Sequence, residues 1–308
     1  MEIYLPIAEQ SMNVFVLLAL GGAAGLLAGM FGVGGGFLAT PLLIFVGIPP
    51  AVAVASQANQ VVANSISSLQ VQWRRGNVDL RMGLILLLGG MVGSSAGVTL
   101  FTYLKRIGQI DFVIAVLYVV MLSAIGGLMM YESLSTWLKR RRNPTAPRGK
   151  LHTHYLVHRL PWKMRFYKSK LYISAFLPIG LGFVIGVLSA ILGVGGGFVL
   201  VPAMIYLLGM PTTVVIGTSN FQILFVAANV TFLQATTNGT VDVVLALLLI
   251  LGGVVGAPIG ARIAAKLPGV VLRGLMAVLI LAVAGQLLTE LLRTPASPYS
   301  IGLREVLP

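Results

Sequence analysis

Gly32-Val33-Gly34-Gly35-Gly36-Phe37, followed by Pro41, decides the fold of this chain, because the same six letters return as Gly193-Val194-Gly195-Gly196-Gly197-Phe198 with Pro202 at the same distance. Each copy sits inside a hydrophobic stretch. The repetition predicts a duplicated membrane protein with one glycine-broken segment in each half. Broken backbone is tolerated at membrane depth only where it is buried in protein or lines a wet cavity. Two matched breaks therefore predict a cavity between the halves.

Composition gives the same class. The chain is 57% hydrophobic and 9% charged, with a mean hydropathy of +0.95, which describes a polypeptide whose natural solvent is lipid. The segments 82–104, 110–131, 172–192, 241–264 and 270–292 each supply the roughly 20 apolar residues a crossing needs. The N-terminus carries Glu2 and Glu9 but no Lys or Arg before Arg74. It lacks the positive region of a secretory signal peptide, so the first hydrophobic segment is expected to be retained. There is no cysteine, which excludes disulfides, thiolate nucleophiles and Cys-based metal sites.

The net charge of +13 does not read as nucleic-acid binding, because eleven of the 21 basic residues lie between Ser133 and Lys170 with no acid among them. Such a block reads as a cytoplasmic loop. The positive-inside bias then places the N-terminus outside, Arg74, Arg75 and Arg81 inside, and the central loop inside. The first half crosses an odd number of times, and the second half runs upside down. Arg262, Lys266 and Arg273 fall on an expected inside turn, and the basic-free stretch 235–241 falls outside. Lys105 and Arg106 are the misfit: this topology puts them outside.

Small residues recur four apart in both halves. Gly21, Gly25 and Gly29 align with Gly182, Gly186 and Ala190, and Gly89, Gly93 and Gly97 with Gly252, Gly256 and Gly260. Such stripes let helix backbones approach closely in lipid, and we read them as packing. Asp79 and Asp242 also correspond, each at the start of a long apolar helix, where helix capping is favoured over coupling-ion binding.

Between the first glycine run and Pro49 lie only about a dozen apolar residues, Phe37 to Ile48, and the counterpart Phe198 to Met210 is as short. These are too short to span and read as halves of broken or re-entrant helices. Interrupted helices near the midplane of inverted repeats are a recurrent way to build a substrate site, their N-termini presenting positive dipole ends to anions. The most polar intramembrane stretches follow directly: Ser56, Gln57, Asn59, Gln60, Asn64, Ser65, Ser67, Ser68 and Gln70 in one half, and Thr218, Ser219, Asn220, Gln222, Asn229, Thr231 and Gln234 in the other. Ser56, Gln60, Asn64 and Ser67 share a helical face, as do Thr218, Gln222 and Asn229. We read these faces as a permeation path, with Ser65, Ser68 and Thr231 the first candidates for plain interhelical hydrogen bonding.

No Asp, Glu, His, Lys or Arg occupies the middle of an expected span, so a carboxylate proton relay and an intramembrane aspartyl or metalloprotease are disfavoured. Enzymatic activity, a cofactor and a bound metal are not expected. His152, His154 and His158, all in the basic loop, have no accompanying acid or cysteine.

Gly32 to Phe37 with Pro41, Gly193 to Phe198 with Pro202, Gly217-Thr218-Ser219, and the stretch Leu160 to Phe166 resemble the sulfite exporter TauE/SafE family, over nearly the whole chain. The resemblance implies a multi-pass permease of the bacterial inner membrane for small sulfur-containing or organic anions such as sulfite or sulfonates. The first half departs from the second in having Ala55-Ser56-Gln57 where the latter has Gly217-Thr218-Ser219, so the half-sites are expected to contribute unequally.

The combined expectation is an all-α polytopic membrane protein of two inverted-topology repeats with broken or re-entrant helices and eight to ten transmembrane segments. Residues 1–132 form the first repeat, 133–171 the cytoplasmic loop, 172–292 the second repeat and 293–308 a short tail. An anion is expected at the repeat interface, against N–H groups at Gly34, Gly35, Gly36, Gly195, Gly196 and Gly197. Ser56, Gln57, Asn59, Gln60, Asn64, Thr218, Ser219, Asn220, Gln222 and Asn229 are the expected side-chain donors. Expected partners are the small anion and membrane lipid, with no nucleic acid. A passive anion channel and a membrane scaffold without a transported substrate remain as alternative readings.

Overall fold

In the computed structural model, residues 2–31, 36–142, 162–169, 171–266 and 269–292 are described, and they are overwhelmingly helical. A β-hairpin, β1 (Glu2–Leu5) and β2 (Gln10–Asn13), leads into α1 (Val14–Phe31), the short α2 (Gly36–Phe45), α3 (Pro50–Arg74), α4 (Leu80–Arg106) and α5 (Ile110–Arg142). The same order then recurs: β3 (Lys163–Phe166) and β4 (Leu171–Ser174), α6 (Phe176–Leu192), the short α7 (Gly197–Tyr206), α8 (Thr212–Leu233), α9 (Val243–Lys266) and α10 (Gly269–Leu292). α8 closes with a π-helical turn, Gln234–Asn238. Among the described residues five helices are long and apolar enough to cross a membrane: 80–106, 110–135, 213–238, 243–260 and 274–292. The chain is a multi-pass membrane protein.

The two hairpins were not foreseen. They correct the expected span 172–192, whose helix begins only at Phe176, after β4 has paired with β3. Each hairpin is only two four-residue strands in antiparallel register.

The glycine stripes form the joints between the repeats. A Cβ added at Gly21, Gly25 or Gly29 would lie 2.6, 2.4 or 2.0 Å from the carbonyl oxygens of Leu249, Gly253 and Ala257 on α9. Gly252, Gly256 and Gly260 meet the carbonyls of Leu18, Gly22 and Leu26 on α1 in the same way. Partners rise together in sequence, so α1 and α9 run parallel. The related joint joins α4 to α6: Gly89 and Gly93 abut Ile179 and Phe183, and Gly182 and Gly186 abut Leu86 and Gly90, again in ascending order. Backbone contact this close supplies dispersion and carbonyl contacts where lipid removes the hydrophobic drive, and any side chain would wedge the pairs apart.

The short helices turn back beside the helices that precede them. Gln10 Nε2, just before α1, donates to the carbonyl of Gly47, just after α2, at 3.0 Å. Leu5 and Leu17 pack in one cluster with Leu43, Ile48 and Val52, so the start of α1, the end of α2 and the start of α3 share one end of the molecule. Pro41 and Pro202 lie inside α2 and α7 and have no N–H to give the carbonyl four residues back. The rings of Phe37 and Phe198, in the first turns of these helices, stack at 5.5 Å between centroids. This pair sits in the core that α5 and α10 close with Ile114, Leu122, Met276 and Ile280.

Candidate functional site

The two polar stretches lie on α3 and α8, which pack against one another. Aligning Pro49 with Pro211 puts Ser56 opposite Thr218 and Gln60 opposite Gln222. Each pair occupies a matching environment.

Ser56 Oγ accepts the N–H of Asp242 at 2.9 Å, and Thr218 Oγ1 accepts the N–H of Asp79 at 3.0 Å. Both aspartates cap their helices as expected: Asp242 Oδ1 accepts from Val244 and Leu245, and Asp79 Oδ1 from Met82. Their second oxygens do something the sequence did not disclose. Asp242 Oδ2 accepts from Ile7 and Ala8 in the β1–β2 turn at 3.0 and 3.4 Å. Asp79 Oδ2 accepts from the N–H and hydroxyl of Ser169 in the β3–β4 turn at 3.0 and 2.6 Å. Each buried aspartate thus ties the other repeat's hairpin, through its carboxylate, to a polar residue of that repeat's long helix, through its backbone N–H. Charge-assisted bonds of this kind contribute roughly 1.5–3 kcal/mol each.

The glutamines share a niche and differ in what fills it. Gly253 leaves room for the Gln60 amide, and Gly90 for that of Gln222; in both, Nε2 lies 2.6 Å from where a glycine Cβ would stand. Gln60 is fully engaged: Nε2 donates to the carbonyls of Leu249 and Gly21 at 2.9 and 3.1 Å, and Oε1 accepts from Gln57 Nε2 at 2.8 Å. Gln222 is buried with neither amide atom hydrogen-bonded. A buried amide left this way costs on the order of 1–3 kcal/mol for each unpaired group. The Oε1 of Gln57, Ser65 Oγ and Thr231 Oγ1 are also buried without partners.

The other expected donors spread out. Asn220 Nδ2 bridges to Ser68 Oγ at 2.8 Å, so Ser68 is interhelical glue as expected, whereas Ser65 and Thr231 are not. Ser219 Oγ donates to the Ile216 carbonyl at 3.2 Å. Asn59 Nδ2 reaches only the carbonyls of Ala55 and Ser56, at 3.5 and 3.4 Å. Asn64 lies beside the Gly253 niche. Asn229 turns to α4, donating to Ser94 and Ser95 at 2.8 and 3.2 Å. Ser67 of the expected polar face is exposed and bonds its own helix.

Of the glycine runs, Gly34 and Gly35 lie outside the described residues, while Gly36 opens α2 and Gly197 opens α7. Gly193, Gly195 and Gly196 take left-handed backbone, φ 68°, 69° and 72°, which only glycine adopts without strain. A Cβ on Gly195 would stand 2.4 Å from Val61 and 2.9 Å from Ile223, and one on Gly36 2.7 Å from Val61. Gly36 and Gly195 therefore converge on one buried side chain of α3, Val61, next in the chain to Gln60, and Gly195 also meets its α8 counterpart Ile223, next to Gln222. Among the described residues no group of three His, Cys, Asp or Glu could hold a metal.

Duplicated helical units, short helices opening at the glycine runs and uncharged amides beside them make this a polytopic all-α membrane protein. The chain belongs to the sulfite exporter TauE/SafE family, whose family model matches residues 17–287. It is 30% identical over 245 residues to a probable membrane transporter protein of Xylella fastidiosa (strain 9a5c), covering 79% of this chain and 81% of that one. It is 28% identical over 251 residues to the probable membrane transporter protein YunE of Bacillus subtilis (strain 168), covering 78% and 85%. A second Bacillus subtilis protein, probable membrane transporter protein YjnA, is 28% identical over 249 residues, covering 79% and 87%. No solved structure matches the chain.

Proposed function

We propose that this protein is a secondary transporter of small sulfur-containing or organic anions in the bacterial inner membrane, and that the anion is held where the two glycine breaks meet α3 and α8. The observation that carries the reading is Gln222, a buried amide with both ends unpaired, one residue from the side chain that covers Gly195. Its counterpart Gln60, by contrast, has both amide atoms hydrogen-bonded within the protein. The amide hydrogens of Gln222 and the N–H groups at the start of α7 offer donors to an anion without fixed positive charge, and helix N-termini favour negative charge. The tight cover of Val61 and Ile223 makes this a closed form, which an anion would open.

The repeats are oppositely directed in this reading. It is supported by the parallel pairing of α1 with α9 and of α4 with α6, together with the short 75–79 turn that reverses the chain between α3 and α4. The first repeat is taken as residues 1–132 and the second as 172–292, with the basic segment between them cytoplasmic. Rocking of one repeat against the other at the glycine joints would expose the site to each side in turn.

Thermal unfolding of the purified protein with sulfite, methanesulfonate, sulfate and acetate tests the site. A bound anion at 100 times its Kd stabilises by about 2.7 kcal/mol, so a selective rise in Tm is expected in the wild type and not in Gln222→Leu. Equal shifts in both, or none with any of these anions, would remove Gln222 from the site.

A further inference from the structure

Two surface cavities lie away from the centre. The first, about 460 Å³, is lined by Ser95, Thr99, Thr102 and Arg106 along one face of α4, with Leu233 and Thr237 from the end of α8 and its π-helical turn. The second, about 130 Å³, is lined by Ile259, Arg262, Ile263 and Lys266 of α9. α4 and α9 are counterparts, and aligning Asp79 with Asp242 sets Thr99 against Arg262 and Tyr103 against Lys266. The two cavities thus occupy the same place on the two repeats. Both have a cationic rim and no acidic residue in their lining.

We infer that these cavities are a pair of anion vestibules, one for each face of the membrane, which capture small organic anions before they reach the central site. The inference rests on the transport reading above. Arg106 is the anchor of the first. It belongs to the one basic pair that contradicts the positive-inside pattern, so orientation in the membrane does not account for it, and no ion pair engages it among the described residues. Its neighbour Lys105 is used otherwise, donating to the Asn238 carbonyl at 2.9 Å and fixing the π-helical turn that forms the cavity wall.

One lining residue bonds to the helix that carries Gln222. Ser95 lines the cavity and accepts from Asn229, which lies two helical turns from Gln222, or about 10 Å along α8. The hydroxyls of Ser95 and Thr99 donate back to their own helix, to the carbonyls of Met91 and Ser95. They therefore present acceptors, and the attraction for an anion comes from the guanidinium. Val98 and Leu233 supply apolar wall. The ligand that fits is an anionic head on a short apolar body, an alkylsulfonate or carboxylate.

The absence of cysteine makes a direct test available. In Thr99→Cys the new thiol is the only one, and its reaction rates with an anionic and a cationic methanethiosulfonate of similar size are compared in neutral-lipid nanodiscs at low salt. Taking the ratio of the two rates cancels any effect of Arg106 on the thiol itself. The anionic reagent should be favoured, and adding Arg106→Gln should lower the anion-to-cation ratio about fivefold, with the difference shrinking in high salt. Methanesulfonate should slow labelling of the Thr99→Cys protein by neutral N-ethylmaleimide, and not when Arg106 is also replaced.

A ratio unchanged by Arg106→Gln overturns the vestibule. So does protection by phosphatidylglycerol in the nanodisc without protection by methanesulfonate, which would make the cavity a lipid headgroup site. These readouts need no flux, so they separate failure of the vestibule from failure of the transport reading, which the thermal shifts of wild type and Gln222→Leu address.

Discussion

Gln60 and Gln222 carry the residue-scale argument, because one side chain placed twice in equivalent niches meets two different fates. Gln60→Leu removes two bonds to helix carbonyls and strands the amide of Gln57, so a loss of about 2–3 kcal/mol in unfolding free energy is expected. Gln222→Leu removes an amide that has no partner and should leave thermal stability unchanged or raised. The reverse order of stabilities would show that Gln222 is the structural member of the pair. Asp242 supplies a second expectation: Asp242→Asn weakens the bonds to Ile7 and Ala8, and hydrogen exchange at those two amides should accelerate at least tenfold. Unaltered exchange would mean that the hairpin is held by its own packing. The polar residues could be read from sequence because nothing else in the apolar chain resembles them. Which of them are engaged could not, since the partners are backbone carbonyls on helices far away in sequence, as with Gln60 and Leu249.

At the scale of elements, the glycine stripes were legible because spacing by four is itself the packing signal, and the structure places both stripes backbone to backbone. Gly25→Ala puts a Cβ 2.4 Å from the Gly253 carbonyl, and over-packing of this kind destabilises by about 3 kcal/mol. Gly127, a helical glycine on α5 with nothing within 4 Å, is the matched control. Its replacement by Ala should stabilise slightly, by up to about 1 kcal/mol of helix propensity. Equal melting temperatures for the two variants would refute the joint. The hairpins were not legible: strands of four residues such as Glu2–Leu5 and Leu171–Ser174 carry too little alternation to stand out. What holds them includes carboxylates of the opposite repeat, Asp242 and Asp79.

For the whole molecule, duplication was visible in six repeated letters, and the break between α6 and α7 lies where they stand. The opposite direction of the repeats is an expectation of the positive-inside charge pattern, and the parallel packing of α1 on α9 and of α4 on α6 supports it. Inverted repeats predict opposite exposure of equivalent ends. A single cysteine at Thr237 should react with a membrane-impermeant maleimide in intact cells, and one at Gly76 only after the cells are opened. Labelling of both from the same side would require the repeats to face the same way.

The central claim is that an anion crosses at the meeting of the two glycine breaks with Gln222 as a donor. It is tested most directly by counterflow in proteoliposomes loaded with unlabelled methanesulfonate or sulfite and diluted into the labelled anion. The wild-type protein should accumulate label transiently above its external concentration, and Gln222→Leu should reduce that overshoot at least tenfold while reconstituting as well as wild type. Absence of an overshoot with every sulfur oxyanion and sulfonate tried, or an overshoot as large in the variant as in the wild type, would contradict the account.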